Sequence, residues 1–229
     1  MSGLPALCVF GRQHDLEMRE VKLKQKVRAQ LVNKLVNKSF FLSGSKPLIL
    51  TTSTTLNLTI PQGSQLSVFL VGGGGAADDS TAGSSGFFKH EILVLNETQS
   101  FVLEVTIGKG GMSSGVNGEI TTVRGLPSLT TFVSAGGGGR GAAGWSGVNG
   151  EIGGSNGEYG SNEPLPHLCS VNLAPGAAGS NSDGAGAGGV VVDGQKPTRR
   201  SSKDGEGFGA GGGEDSNKGY PGVVVLTIC

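Results

Sequence analysis

Residues 66–75 read LSVFLVGGGG. The first six form the strongest strand signal of the chain, an apolar run with only Ser67 interrupting it. Four consecutive glycines follow at once. Glycine in a helix interior costs about 0.8–1 kcal/mol per position, so this junction does not continue as helix. The reading that decides the fold is therefore a buried β-strand feeding a glycine-rich segment.

Working outward, the same contrast divides the chain. Of its 43 glycines, four lie in residues 1–71 and 39 in residues 72–229. Further strands are expected at residues 47–50, 56–60, 87–95, 101–107, 120–124, 130–135 and 222–228. Asn96-Glu97-Thr98 reads as a turn making residues 87–95 and 101–107 a hairpin. The simplest topology pairs the final strand with the early ones and loops out the glycine-rich middle. Glycine-rich inserts fall at about residues 72–86, 136–160 and 176–222.

The middle has a period. Glycine occupies positions 138, 141, 144, 147, 150 and 153, then, after a slip of one, 154, 157 and 160. A collagen triple helix is excluded, because this short tract holds no proline. The period instead fits left-handed polyglycine-II-like helices, packed backbone to backbone with Cα–H···O contacts. The heptapeptide SGVNGEI occurs at residues 114–120 and again at 146–152, which suggests equivalent structural positions. Trp145 lies inside the periodic tract and is expected to pack on it.

Before the strands, residues 12–38 contain no glycine or proline and place Leu16, Leu23, Val27, Leu31 and Leu35 at helical spacing. Residues 1–40 are expected to form a basic amphipathic α-helical arm, and residues 41–229 the glycine-rich domain. The chain carries 18 basic and 18 acidic residues, yet residues 11–40 have eight basic and three acidic, a net +5. Such an arm can meet an anionic surface, its own domain included. It lacks the aromatic and arginine pattern of a nucleic-acid reader.

Residues of chemical interest are few. Gly108–Ser114 (GKGGMSS) follows a strand but lacks the order of a phosphate-binding loop. His14, His90 and His167 stand alone, without metal-ligand spacing. Asp78-Asp79 and Glu214-Asp215 offer at most weak calcium or mineral contact. Arg199-Arg200-Ser201-Ser202 resembles a basophilic phosphorylation or dibasic cleavage site. Cys8, Cys169 and Cys229 read either as buried or free thiols, or as one disulfide with a thiol left over. Sequons occur at Asn37, Asn57 and Asn96, about as many as chance would give. No catalytic constellation, cofactor site or metal site is expected. No apolar run reaches the roughly 18 residues of a membrane span. The N-terminal residues make a poor signal peptide, being short in apolar residues and without a basic lead-in.

The segments VFLVGGGG (68–75), GFFKHEILVLNETQSFVLEVTIGKGG (86–111), TTFVSAGGGG (130–139) and PGVVVLTI (221–228) resemble the glycine-rich domains of phage tail-fibre proteins. Residues 184–228 resemble glycine-rich proteins of marine invertebrates, including coral skeletal matrix components. The pattern is also similar to the glycine-rich extracellular region of anaplastic lymphoma kinase-type receptors. That resemblance implies a TNF-like, jelly-roll β-sandwich carrying inserted polyglycine helices. The expected class is an all-β sandwich preceded by one α-helix. The expected function is that of a secreted, non-enzymatic structural or matrix protein, self-associating or joining other matrix components. The alternative is an adhesin-like module recognising glycan or a protein partner through its glycine-rich loops.

Overall fold

A computed structural model of the chain describes residues 39–41, 46–78, 82–94, 98–113, 115–126, 130–138, 165–177 and 185–229. The chain divides into two units, Met1–Ser39 and Phe40–Cys229. The helix expected over residues 12–38, the periodic tract with Trp145, and the second SGVNGEI copy lie outside the described residues, but for Gly138.

The described residues are all β. Eleven strands occur in order: β1 (Ser39–Phe41), β2 (Leu48–Leu50), β3 (Thr54–Ile60), β4 (Gln65–Val71), β5 (Phe88–Val94), β6 (Gln99–Thr106), β7 (Thr121–Leu126), β8 (Thr130–Ala135), β9 (Leu173–Pro175), β10 (Val190–Val192) and β11 (Val223–Ile228). One sheet has the order β1-β3-β6-β7-β8, the other β2-β11-β4-β5, and β9 pairs with β10 separately. Neither large sheet closes on itself. Among the described residues no helix is long and apolar enough to cross a membrane.

Hydrophobic pattern explains the layers. Strand β3 reads TTLNLTI and buries Leu56, Leu58 and Ile60 while the alternate residues are half-buried, so one of its faces meets a core. Strands β4 and β11 are near-continuous apolar runs because both their faces are covered. Leu66, Val68 and Leu70 of β4 join β3, β6, β7 and β8 in a core between the two sheets. Phe69 and Val71, on the opposite face of β4, join Val223, Val225, Leu168, Val171, Val190, Val192 and Phe208 in a second core. The sandwich thus carries a third layer, built from residues after 164, over one sheet. Each fully buried aliphatic side chain contributes about 1.5–3 kcal/mol.

The final strand β11 lies between β2 and β4, antiparallel to both, as the sequence suggested. The expected hairpin does not form. Strand β5 pairs with β4, whereas β6 pairs with β3 and β7, so the chain crosses from one sheet to the other between them. A turn signal marks where a chain reverses, but it does not say whether the two strands bond to each other or face each other across a core.

Beyond the strand ends the glycine segments lie side by side. Residues 72–77 are buried, and their hydrogen bonds go to other segments with a period of three. The amides of Gly72 and Gly75 donate to Phe87 and Ser84, those of Gly73 and Ala76 to Glu119 and Val116, and that of Gly74 to Tyr220. The carbonyls of Gly73, Gly74 and Gly75 accept from Gly138, Gly111 and Gly212. Six segments therefore surround this one. The same period recurs outside it: Gly83 and Gly86 donate to Gly212 and Gly209, and Gly219 and Gly222 to Gly111 and Gly108.

Sterics explain why these positions are glycine. A Cβ on Gly73 would come under 3.0 Å from the Lys109 carbonyl, and one on Gly118 equally close to the Gly73 carbonyl. The segments touch through the Cα hydrogens that a side chain would replace.

Candidate functional site

The most elaborate polar arrangement lies where the glycine segments meet the loop at residues 199–220. Asp204 is fully buried. Its Oδ2 accepts from the Ser201 amide at 3.0 Å, the Arg200 amide at 3.3 Å and the Tyr220 hydroxyl at 2.8 Å. Its Oδ1 accepts from the Gly213 amide at 2.9 Å and from the Ser216 hydroxyl. Burying a carboxylate is costly unless its lone pairs are satisfied, and here five donors converge on it.

Tyr220 is the second member. Its ring is buried, and its hydroxyl also accepts from the Arg200 amide at 2.7 Å. Burial, then the hydrogen bond to Asp204, pushes its pKa up to about 12. The Arg200 guanidinium stacks 4.5 Å from the ring centre and donates to the carbonyls of Lys218 at 3.0 Å and Gly219 at 3.1 Å. The cluster therefore ties the 200–204 loop to the glycine run at 209–213 and to residues 216–220. With its lone pairs taken by the protein itself, Asp204 is arranged as a clamp.

Around this clamp the charges pair locally. Lys203 bonds Glu214 at 3.4 Å and Asp215 at 3.5 Å, and the bond to Glu214, followed by the charge of Asp215, raises its pKa. Of the carboxylates considered for calcium, Glu214 and Asp215 thus hold a lysine. Glu206 pairs with Lys196 and, at 3.3 Å, with Arg199. Beside them an open cleft of about 550 Å³ is lined by Thr51, Gly194, Gln195, Lys196, Pro197, Phe208 and Pro221.

The other sequence candidates are dispersed. Arg199 and Arg200 are both engaged in the loop, so the dibasic stretch is built into the fold. The amides of residues 108 and 111 bond to Thr121 and Gly74, so this glycine run is part of the segment packing. His90 meets Ser67 at 2.7 Å across β5 and β4, and burial lowers its pKa, with Glu91 opposing. His167 is exposed, and His14 lies outside the described residues. Among the described residues no group of three or more His, Cys, Asp or Glu is placed to hold a metal ion. Asp78 is half-buried, and Asp79 lies outside the described residues. Of the sequons, Asn57 is half-buried on β3, while Asn37 and Asn96 are outside the described residues. Cys169 and Cys229 form a disulfide, which settles the cysteine alternatives for that pair, and Cys8 is not described.

No sequence motif links Asp204 to Tyr220. The available signal was slight: a carboxylate and one of two tyrosines embedded in glycine runs.

Together, the two sheets, the third layer and the interlocked glycine segments define a glycine-rich all-β protein held by backbone contacts and a buried polar clamp. A family model described as a glycine-rich domain matches residues 51–224, and the chain belongs to that family. No curated protein and no solved structure matches the chain.

Proposed function

We propose that this is a secreted, non-enzymatic structural protein of an extracellular matrix or surface coat. One observation carries the reading: residues 72–77 bond with a three-residue period to six neighbouring segments. This supports a bundle of polyglycine-II-like helices, in which rigidity comes from peptide groups and needs little side-chain core. Chain crossing between sheets after β5, with β11 returning beside β2, supports a jelly-roll or TNF-like sandwich as its base. The disulfide Cys169–Cys229 supports an oxidising compartment. Self-association or contact with other matrix components follows as the expected partnership, with at most weak calcium or mineral contact.

Two measurements test this. Immunolocalisation of the tagged full chain is expected to place it outside the cell, with Cys169 and Cys229 resistant to thiol alkylation. Cytosolic protein with both thiols reactive would refute the secreted reading. Hydrogen exchange is expected to show protected amides at residues 72–76, and random-coil exchange there would refute the bundle. The binding-module alternative draws on a different observation, the open cleft beside Lys196.

A further inference from the structure

The edges of the two large sheets end in different ways. Strands β1 and β2 are three residues long, and β8 pairs with β7 through a register shift at Val123/Arg124. Short strands and bulges both blunt a sheet edge. Strand β5 has neither. It runs seven residues without proline, pairs with β4 in unbroken register, and has no described strand on its other side. Its Ile92 is 52% exposed and its Val94 62%.

The bonding of β4 fixes which β5 groups lie along that edge. Gln65 exchanges backbone bonds of 3.2 and 3.0 Å with Cys229, so the odd residues of β4 bond β11 and the even ones bond β5. Leu66, Val68 and Leu70 oppose Leu93, Glu91 and Lys89. The peptide groups of Phe88, His90, Ile92 and Val94 therefore point outward. By alternation the side chains of these four residues share the face of the second core, where the Phe88 ring lies 5.8 Å from that of Phe69. Lys89 and Glu91 stand on the opposite face, paired at 3.7 Å.

This strand is complementary to itself. In an antiparallel pair with its two-fold axis at His90, Phe88 exchanges backbone bonds with Ile92 of the second copy, and the two His90 residues with each other. Lys89 then faces Glu91 of the second copy on both sides of the axis, completing a ring of four alternating charges. Ile92 comes to lie beside Phe88 of the second copy and extends its apolar layer. A slide of two residues sets Glu91 against Glu91 or Lys89 against Lys89, so charge opposes the neighbouring registers. A slide of one residue sets outward peptide groups against ones already bonded to β4. We infer that β5 is a self-association edge, pairing antiparallel with β5 of a second copy so that two four-stranded sheets join as one. The inference rests on the self-associating reading and names its surface.

The test is sedimentation equilibrium of the full chain from about 10 to about 500 µM, with Lys89→Glu, Glu91→Lys and the double swap. Far-UV circular dichroism checks that the variants fold. A reversible dimer is expected. Each single swap sets like charges opposite each other and should weaken the dimer about tenfold, and the double swap should restore it to within about threefold. Amide hydrogen exchange at His90 and Ile92 should slow as the dimer forms. Single swaps without effect, or a double swap as weak as the single ones, would overturn the edge pairing and leave self-association to another surface. Slow exchange at His90 and Ile92 in a chain that stays monomeric would assign the edge to a segment of the same chain, and so overturn the pairing. A chain that is monomeric to about 500 µM with fast exchange there would overturn both the pairing and the self-associating reading.

Discussion

Replacing Gly73 by alanine tests whether the glycine segments are packed structure or slack chain. The two cases differ in sign. In a flexible loop, Gly→Ala reduces the freedom of the unfolded chain and stabilises by about 0.4–1 kcal/mol. In the packing seen here, the new Cβ would come under 3.0 Å from the Lys109 carbonyl, which is backbone and has no rotamer to yield. That carbonyl accepts from the Glu119 amide at 2.8 Å, and Gly73 itself donates to Glu119 at 3.0 Å. Moving either segment strains both bonds. Overpacking costs about 1–3 kcal/mol, and a buried hydrogen bond left unmade adds about 1–3 kcal/mol. Less the unfolded-state gain, the expected net loss is about 1–5 kcal/mol, or a fall in Tm of roughly 2–20 °C for a domain of this size. The control is Gly63→Ala, where a Cβ meets nothing within 4 Å and only φ of +78° is unfavourable. It should cost about 1–2 kcal/mol. Urea unfolding followed by circular dichroism measures both. If Gly73→Ala proves neutral or stabilising, the packing account of residues 72–77 is wrong.

Three further outcomes are expected. Asp204→Asn turns an acceptor of five hydrogen bonds into a group that must point a donor at other donors, and should cost about 2–4 kcal/mol in urea unfolding. Tyr220 titrates near 12 in the folded state against an unperturbed 10, so stability is full below pH 10 and is lost as pH rises from 10 toward 12. The loss is about 2 kcal/mol or a little more, and absorbance at the phenolate band should show one tyrosine ionising near pH 12 instead of 10 while the protein stays folded. Cys229→Ser opens a link between residues 60 apart in sequence, which on chain-entropy grounds costs up to about 4 kcal/mol. A strong thiol reductant should shift the melting temperature of the native chain and leave that of the variant unchanged.

Much of the strand layout was legible locally. Each strand expected from residue pattern has an observed counterpart, because alternation in β3 and near-continuous apolar runs in β4 and β11 report how many faces are buried. Three-residue strands carry little periodicity: β2 was marked by its apolar run, whereas β1, β9 and β10 had no expected counterpart. The hairpin expectation failed because pairing partners are chosen across the core and not at the turn. The clamp was illegible for a similar reason. Asp204, Gly213, Ser216 and Tyr220 become neighbours only when the glycine segments fold back on one another.

By itself the sequence determined that this chain is a strand-forming protein whose later two thirds are built around glycine. Composition and period act through local sterics: glycine alone lets one backbone touch another, and the strand LSVFLV ends where that begins. Tertiary structure decided which backbone each glycine touches, which carboxylate is buried and which cysteines join. Peptide groups are chemically identical at every residue, so no side-chain signal encodes their pairing. Only the relative placement of whole segments by the two cores can set it.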